Sequence, residues 1–394
     1  MPAEICVGLG PVAKSSSPGN PTLASAFKEG CRRVIAGGLY HTGLLGGLRQ
    51  ISRTHHLIST AGSPRPQFRR LSASKFGILC YHRVGQEGIP LFSRLDPQLF
   101  EAQMRYVSKH YRIISLQQLC LEIGQNRAVK PSLAITFDDG YRDLYAHAFP
   151  VLRKYGIPAT IYMIGRCIAT GEAPWYDRIF LALSVAPGPS LAVQLNTVRQ
   201  FDLSSPAARA DAAWQIVCYL RTIPDARRRA WCAAFEAKFQ FPQDALRNRM
   251  LDWEQVREMQ RAGVDFGAHT MTHPVVAQLA PADFQEELAN SKMLLEEGLG
   301  RPVTDFAYPF GKLTDFSPTA DEFIRCSGYR SAVTTIEGVN VPGSNLFSLR
   351  RTQVGDGVSL SMFAFNVARM FLDGEADALS LQPAASTSRI KGQA

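Results

Sequence analysis

From Phe76 onward, short apolar runs alternate with stretches of helical periodicity, and this alternation limits the fold more than any other feature of the chain. Phe76 to Tyr81, Leu133 to Phe137, Ala159 to Ile164, Val264 to Ala268 and Asp305 to Tyr308 read as strands. Pro97 to His110, Tyr145 to Tyr155 and Pro281 to Leu299 read as helices between them. Strands that alternate with helices predict an α/β fold in which helical crossovers join a parallel sheet. In barrels built this way the chemistry sits at the carboxyl ends of the strands.

Two segments at such ends carry the functional signal. Thr136, Phe137, Asp138, Asp139, Gly140 puts adjacent carboxylates after an apolar run, and His269, Thr270, Met271, Thr272, His273, Pro274 puts imidazoles at i and i+4 after another. Together they offer a mixed carboxylate and imidazole site, suited to zinc or another divalent metal that accepts nitrogen and oxygen. The spare aspartate is placed to act as a base that activates water. Each residue also has an ordinary reading: the aspartates as caps of a helix starting near Tyr141, Gly140 as a turn residue, the histidines as structural. The combination is what metal and catalytic clusters look like.

Composition supports an enzyme-sized globular chain. With 394 residues, 46% hydrophobic and 20% charged, it has material for one large core with additions. No run reaches the roughly 18 to 20 apolar residues of a membrane-spanning helix. The eight cysteines are scattered without a CxxC pair, which argues against sulfur-ligated zinc and favours a reducing compartment.

Charge divides the chain. Residues 1–75 carry ten basic side chains against two acidic ones, which is +8 of the formal +9. This basic N-terminal extension reads as flexible over Pro11 to Pro21 and as partly helical over Leu23 to Ile51, where apolar residues and arginines alternate. A basic amphipathic segment fits peripheral contact with an anionic membrane. With no signal peptide recognisable at the start, the expected location is cytoplasmic or at the inner face of the membrane, export staying open if the chain begins elsewhere. No recognition motif accompanies the basic charge, so nucleic acid is not an expected partner.

Strand signals fade between about 171 and 260. Trp175, Tyr176, Ile179, Phe180 and Leu183 recur at helical spacing, as do Trp214, Val217, Cys218 and Leu220, which predicts a helical insertion between two barrel strands. Its tryptophans read as packing anchors, and Arg227, Arg228 and Arg229 as a solvated face. Residues 374–394 read as a flexible tail.

The two metal-competent segments resemble the first two signature motifs of the polysaccharide deacetylases, the NodB-homology or carbohydrate esterase family 4 proteins. Tyr308, Pro309, Phe310, Gly311 resembles the third. The resemblance runs from about Phe76 to Phe371 and implies a deformed parallel β/α barrel, NodB-like, over residues 76–373. The implied activity is that of a hydrolase acting on carbon–nitrogen bonds other than peptide bonds, a deacetylase of N-acetylhexosamine units in a polysaccharide or glycan precursor. Residue by residue, it implies Asp139, His269 and His273 as metal ligands and Asp138 as general base. It further implies the backbone N–H of Phe310 as a donor to the oxyanion. Three ligands leave a coordination position for water and substrate. Thr136 and Thr270 are candidates for orienting ligands.

Two departures from the family pattern stand out. No histidine follows His273, so the late histidine that serves many relatives as general acid is missing. His82, after Ile78, Leu79, Cys80, Tyr81, resembles the Tyr-His of deacetylases with permuted motifs and is the candidate replacement. Barrel closure would bring first and last strands together. Ala307 stands where many relatives carry the arginine that pairs with the base, and Arg351 is a candidate substitute from the last strand. These departures keep a second function class in view, a non-catalytic glycan-binding protein that retains barrel and metal.

Overall fold

The computed structural model describes residues 75–85, 94–125, 130–239 and 249–372. The leader up to residue 74, its membrane reading, and the tail lie outside the described residues. Ten strands occur within them: β1 (Phe76–Tyr81), β2 (Arg112–Ile113), β3 (Ser132–Phe137), β4 (Ala159–Met163), β5 (Ser190–Gln194), β6 (Val198–Asp202), β7 (Asp265–Ala268), β8 (Asp305–Ala307), β9 (Ser331–Val333) and β10 (Thr352–Gln353).

Eight of these form one parallel sheet, ordered β10-β1-β3-β4-β7-β8-β9 with β2 beside β3. Leu349 bridges to Val333 on β9, while Thr352 on β10 pairs with Leu79 on β1. The segment 349–353 therefore draws the two edges of the sheet together into a deformed barrel. All five strands read from the sequence are present, with ends shifted by at most one residue. The short β2 and β9 show no periodicity of their own, having only two or three residues, and β10 is the last strand, directly after Arg351.

Alternation along each strand aims the site. On β3, Leu133, Ile135 and Phe137 join the large core under the outer helices, whereas Ala134 joins the barrel interior. On β1, Leu79 and Tyr81 face out and Ile78 faces in. Side chains on a strand repeat every two residues, so one residue past the strand ends the inward parity falls on His82 and Asp138. The same rule places His269 inward, since Phe266 and Ala268 of β7 lie in the outer core. Every residue of β1 and β3 is buried, and each Ile, Leu or Phe so buried contributes about 1.5–3 kcal/mol. Gly267 is required for packing: a Cβ there would stand 2.6 Å from the Tyr162 ring and 2.7 Å from the Asp305 carbonyl.

Helices flank the sheet where the periodicity put them. Pro97–His110 starts after Asp96, whose Oδ1 accepts from the N–H groups of Gln98 and Leu99. Pro281–Leu299 starts on a proline and stops at Gly300, which takes the left-handed conformation that ends helices. The stretch expected as Tyr145 to Tyr155 opens instead with a π-helical turn, Leu144–Ala148, before Phe149–Tyr155.

Between β4 and β7 the insertion builds its own core. The helices Trp175–Val185, Pro206–Leu220 and Asp225–Glu236 enclose Ile179, Leu183, Ile216 and Leu220. It also contains the antiparallel β5–β6 hairpin, which the sequence reading missed. Each hairpin strand buries a single residue, Val193 or Phe201, so no apolar pattern announces it. The helix Trp253–Arg261 sends Val256 and Met259 into the main core and thus serves the barrel rather than the insertion. Arg228 corrects the reading of a solvated arginine face. It is buried, ion-paired with Asp225, and its guanidinium lies 4.5 Å from the centre of the Trp175 ring.

Candidate metal centre

Asp139, His269 and His273 converge, with ligand atoms all within 4.8 Å of one another. Nε2 of His269 and Nε2 of His273 each stand 3.6 Å from Oδ1 of Asp139. Ligands about 2.1 Å from a tetrahedral zinc are about 3.4 Å apart, so the spacing fits an ion of that size. Charge fits as well. Burial and the neighbouring Asp138 push the Asp139 carboxyl well above its ordinary range, and a hydrogen bond from Tyr176 offsets this only in part. Burial lowers His269 to about 4 and holds His273 well below its ordinary value, so both imidazoles are neutral at pH 7. A buried carboxylate between two neutral imidazoles is a donor set that a cation completes.

Backbone conformation marks the same place. Among the described residues, the non-glycine positions with positive φ are Asp139 (72°), Thr270 (63°), His273 (54°) and Phe310 (60°). Such conformations cost on the order of 1–3 kcal/mol each and persist where the surroundings over-determine them. Asp138 and Asp139 cap no helix, since the next helical turn begins only at Leu144.

The surroundings that hold the ligands are visible. Nδ1 of His269 meets the Ala307 carbonyl at 2.7 Å, which directs Nε2 toward the ion position. Thr270 braces the loop through its hydroxyl, which donates to the His269 carbonyl and accepts from the His273 N–H at 3.1 Å. Glu287, on the helix Pro281–Leu299, accepts from the N–H groups of Met271 (2.7 Å) and Thr272 (2.9 Å) and from the Thr272 hydroxyl (2.7 Å). The insertion closes the other side: Trp175 Nε1 donates to the His273 carbonyl at 3.0 Å, and the Tyr176 ring lies edge-on to His273 at 5.1 Å. Trp175 is thus a buried anchor of the ligand loop. No local sequence signal marks Glu287 or Tyr176, because their contacts are long-range.

Asp138 lies beside the candidate ligands, gripped by Arg351. Nη1 donates to Oδ1 at 2.7 Å and Nη2 to Oδ2 at 2.6 Å, and both side chains are buried. Burial alone would raise the Asp138 carboxyl, but the guanidinium outweighs it and holds the group well below the usual carboxylate range. Arg351 is itself fixed by the Thr334 carbonyl (2.7 Å) and the Thr136 hydroxyl (3.2 Å). Thr136 therefore orients the arginine and not a metal ligand. Cys80 and His82 complete this side, their ligand atoms within 4.8 Å of those of Asp138. Arg351 occupies both Asp138 oxygens, so this second cluster is poorly suited to a cation. Burial lowers His82 below its ordinary value, the nearby Asp138 opposing and Arg351 adding to the shift.

Phe310 packs beside the site, its ring 4.8 Å from that of His273. Its N–H donates to no described residue, while its neighbours are engaged: Tyr308 N–H to the Val333 carbonyl (3.1 Å) and Gly311 N–H to the Pro309 carbonyl (2.6 Å). Gly311 is needed here, at φ 68°, where a Cβ would come within 2.8 Å of the Thr335 nitrogen.

Known proteins share this architecture. The family model for polysaccharide deacetylase matches residues 125–330. The chain is 26% identical over 301 residues to the putative polysaccharide deacetylase YxkH of Bacillus subtilis, covering 75% of this chain and 77% of that protein. Over 123 residues it is 28% identical to the poly-beta-1,6-N-acetyl-D-glucosamine N-deacetylase of Staphylococcus aureus, covering 28% of this chain and 42% of that protein. Among solved structures, the Streptococcus pyogenes deacetylase PplD in complex with acetate aligns with a TM-score of 0.52 at 21% identity, covering 76% of this chain and 99% of that one. IcaB from Ammonifex degensii aligns with a TM-score of 0.50 at 22% identity, covering 76% and 98%. These two likenesses establish the deformed barrel fold.

Proposed function

The chain belongs to the polysaccharide deacetylase family, carbohydrate esterase family 4, and on that premise we propose that it hydrolyses the N-acetyl group of N-acetylhexosamine units in a polysaccharide or glycan precursor. The observation that carries this reading is the paired arrangement of Asp139, His269 and His273 with Asp138 beside them. The substrate class is supported by the Staphylococcus aureus relative, whose name specifies an N-acetyl-D-glucosamine polymer.

Asp139, His269 and His273 would hold the divalent ion, with zinc the best match to their nitrogen and oxygen donors. When bound, it supplies Lewis acidity that polarises the acetyl carbonyl and acidifies water. The remaining steps fall to the chain. Asp138, kept ionised by Arg351, accepts a proton from the attacking water. The Phe310 N–H, which donates to no described residue, is the donor to the oxygen on which negative charge develops. His82, whose ligand atoms lie within 4.8 Å of those of Asp138, is the candidate to give a proton to the departing amine. Trp175, Tyr176 and Phe310 wall the site with aromatic surface that excludes water.

The glycan-binder reading drew on Ala307 and on the missing late histidine. Arg351 supplies a guanidinium to Asp138 in spite of Ala307, which removes the first of those grounds. The test is release of acetate from β-1,4- and β-1,6-linked N-acetylglucosamine oligomers by metal-loaded protein. Wild type should release acetate, and Asp138→Asn should keep its metal and release none. Wild type that binds oligomers yet releases nothing from an acetylated panel would overturn the reading in favour of the binder.

A further inference from the structure

We propose that Arg221, in the insertion, is a positioning residue for the oxyanion, acting through Phe310; this rests on the reading of the Phe310 N–H as the donor. Phe310 sits at φ 60°, a conformation its own sequence does not favour, so something outside the loop must hold it. The Arg221 guanidinium lies over the Phe310 ring, its central carbon 4.1 Å from the ring centre. The rings of His273, Trp175 and Tyr176 meet it edge-on at 4.8, 6.2 and 6.4 Å. The ring is therefore caged, and three of the four walls come from the insertion.

Arg221 is itself held in place. Its Nη2 donates to both Asp315 oxygens, at 2.9 and 3.0 Å, and Asp315 accepts from the Lys312 N–H at 2.9 Å. One side chain thus staples both ends of the loop that runs from Phe310 to Asp315, stacking on the first residue and bridging to the last. Only 15% of the Arg221 side chain is exposed, which suits a wall better than a substrate contact. Without the guanidinium the ring gains room to turn, φ relaxes toward the ordinary region, and the N–H leaves its aim. Catalytic donors are sensitive to such movement, and a displacement of about 1 Å can cost about a hundredfold. The insertion is on this account part of the deacetylase machinery and not an appendage.

The test compares full-length, metal-loaded wild type with Arg221→Met and Arg221→Lys. On N-acetylglucosamine oligomers, Arg221→Met should lose about tenfold or more in kcat, with KM and bound metal unchanged. Arg221→Lys should recover little, because an ammonium cannot stack flat and bridge to Asp315 together. Deuterium exchange in the 309–315 segment should be faster in Arg221→Met. Unchanged kcat and exchange would overturn the proposal, as would a loss confined to KM, which marks a substrate contact, or loss of metal, which marks a general structural role. If wild type releases no acetate, the catalytic reading fails by itself, and the exchange comparison still decides whether Arg221 holds the loop.

Discussion

Arg351 and Asp138, separated by 213 residues, form a buried two-pronged ion pair with hydrogen bonds of 2.7 and 2.6 Å. The pair links the segment beside the edge strand β10 to the end of β3, two strands further into the sheet. Asp138 follows β3, while Arg351 precedes β10, which lies beyond β1 in the sheet. Position 307, where many relatives carry the arginine, belongs here to the apolar barrel interior, and the guanidinium arrives from another strand. The charge partner of Asp138 is set by a place in space and not by a place in the motif.

Removing that partner leaves an uncompensated buried carboxylate. Arg351→Met should destabilise the fold by about 3–5 kcal/mol, read from urea unfolding. It should also let burial raise the Asp138 carboxyl, so that kcat/KM for acetate release falls by about a hundredfold or more. Arg351→Lys should lie between, since one ammonium cannot satisfy both oxygens. A Met variant as stable and active as wild type would show that the pair is incidental.

Much of this was legible in the sequence, for reasons that also explain the gaps. The strands that lead into Asp138 and His269 are mostly apolar, and the family motifs attached to them pointed to the candidate ligands. The third motif pointed to Phe310, whose left-handed backbone, and whose N–H without a partner among the described residues, appear only in three dimensions. Arg351 was a weak candidate because β10 is two residues long and carries no periodic signal. Glu287 and Arg221 gave no signal, since they act on loops 15 and 94 residues distant in sequence. The β5–β6 hairpin escaped because each of its strands buries a single residue, too little to show a period of two, in an insertion otherwise read as helical.

Metal and stability should be linked. An ion that binds only the folded protein stabilises it by about 2.7 kcal/mol at a free concentration one hundred times its Kd. Zinc should therefore raise the Tm of metal-stripped wild type, and a chelator should reverse the shift. Asp139→Asn should abolish the zinc-dependent rise and remove bound metal in elemental analysis. A full zinc shift in that variant would place the ion elsewhere.

Glu287 offers a test at one remove from the ion. It touches no ligand side chain, yet three hydrogen bonds from Met271 and Thr272 fix the turn between His269 and His273. Outer partners of this kind typically contribute 10- to 100-fold in metal affinity. Glu287→Ala should weaken zinc binding by about that factor while the far-ultraviolet circular dichroism stays native. Unchanged affinity would mean that the turn holds without its brace.

The role of His82 can be isolated by the leaving group. An amine departs from an amide only after protonation, whereas p-nitrophenolate leaves an ester unaided. Deletion of a general acid should therefore penalise one substrate and spare the other. His82→Asn should lose about a hundredfold or more in kcat/KM on N-acetylglucosamine oligomers and change little on p-nitrophenyl acetate. Structural damage to the barrel would depress both rates together, and so would loss of the metal. Equal losses on the two substrates would assign His82 to packing or to Asp138, leaving the proton for the amine to come from another group.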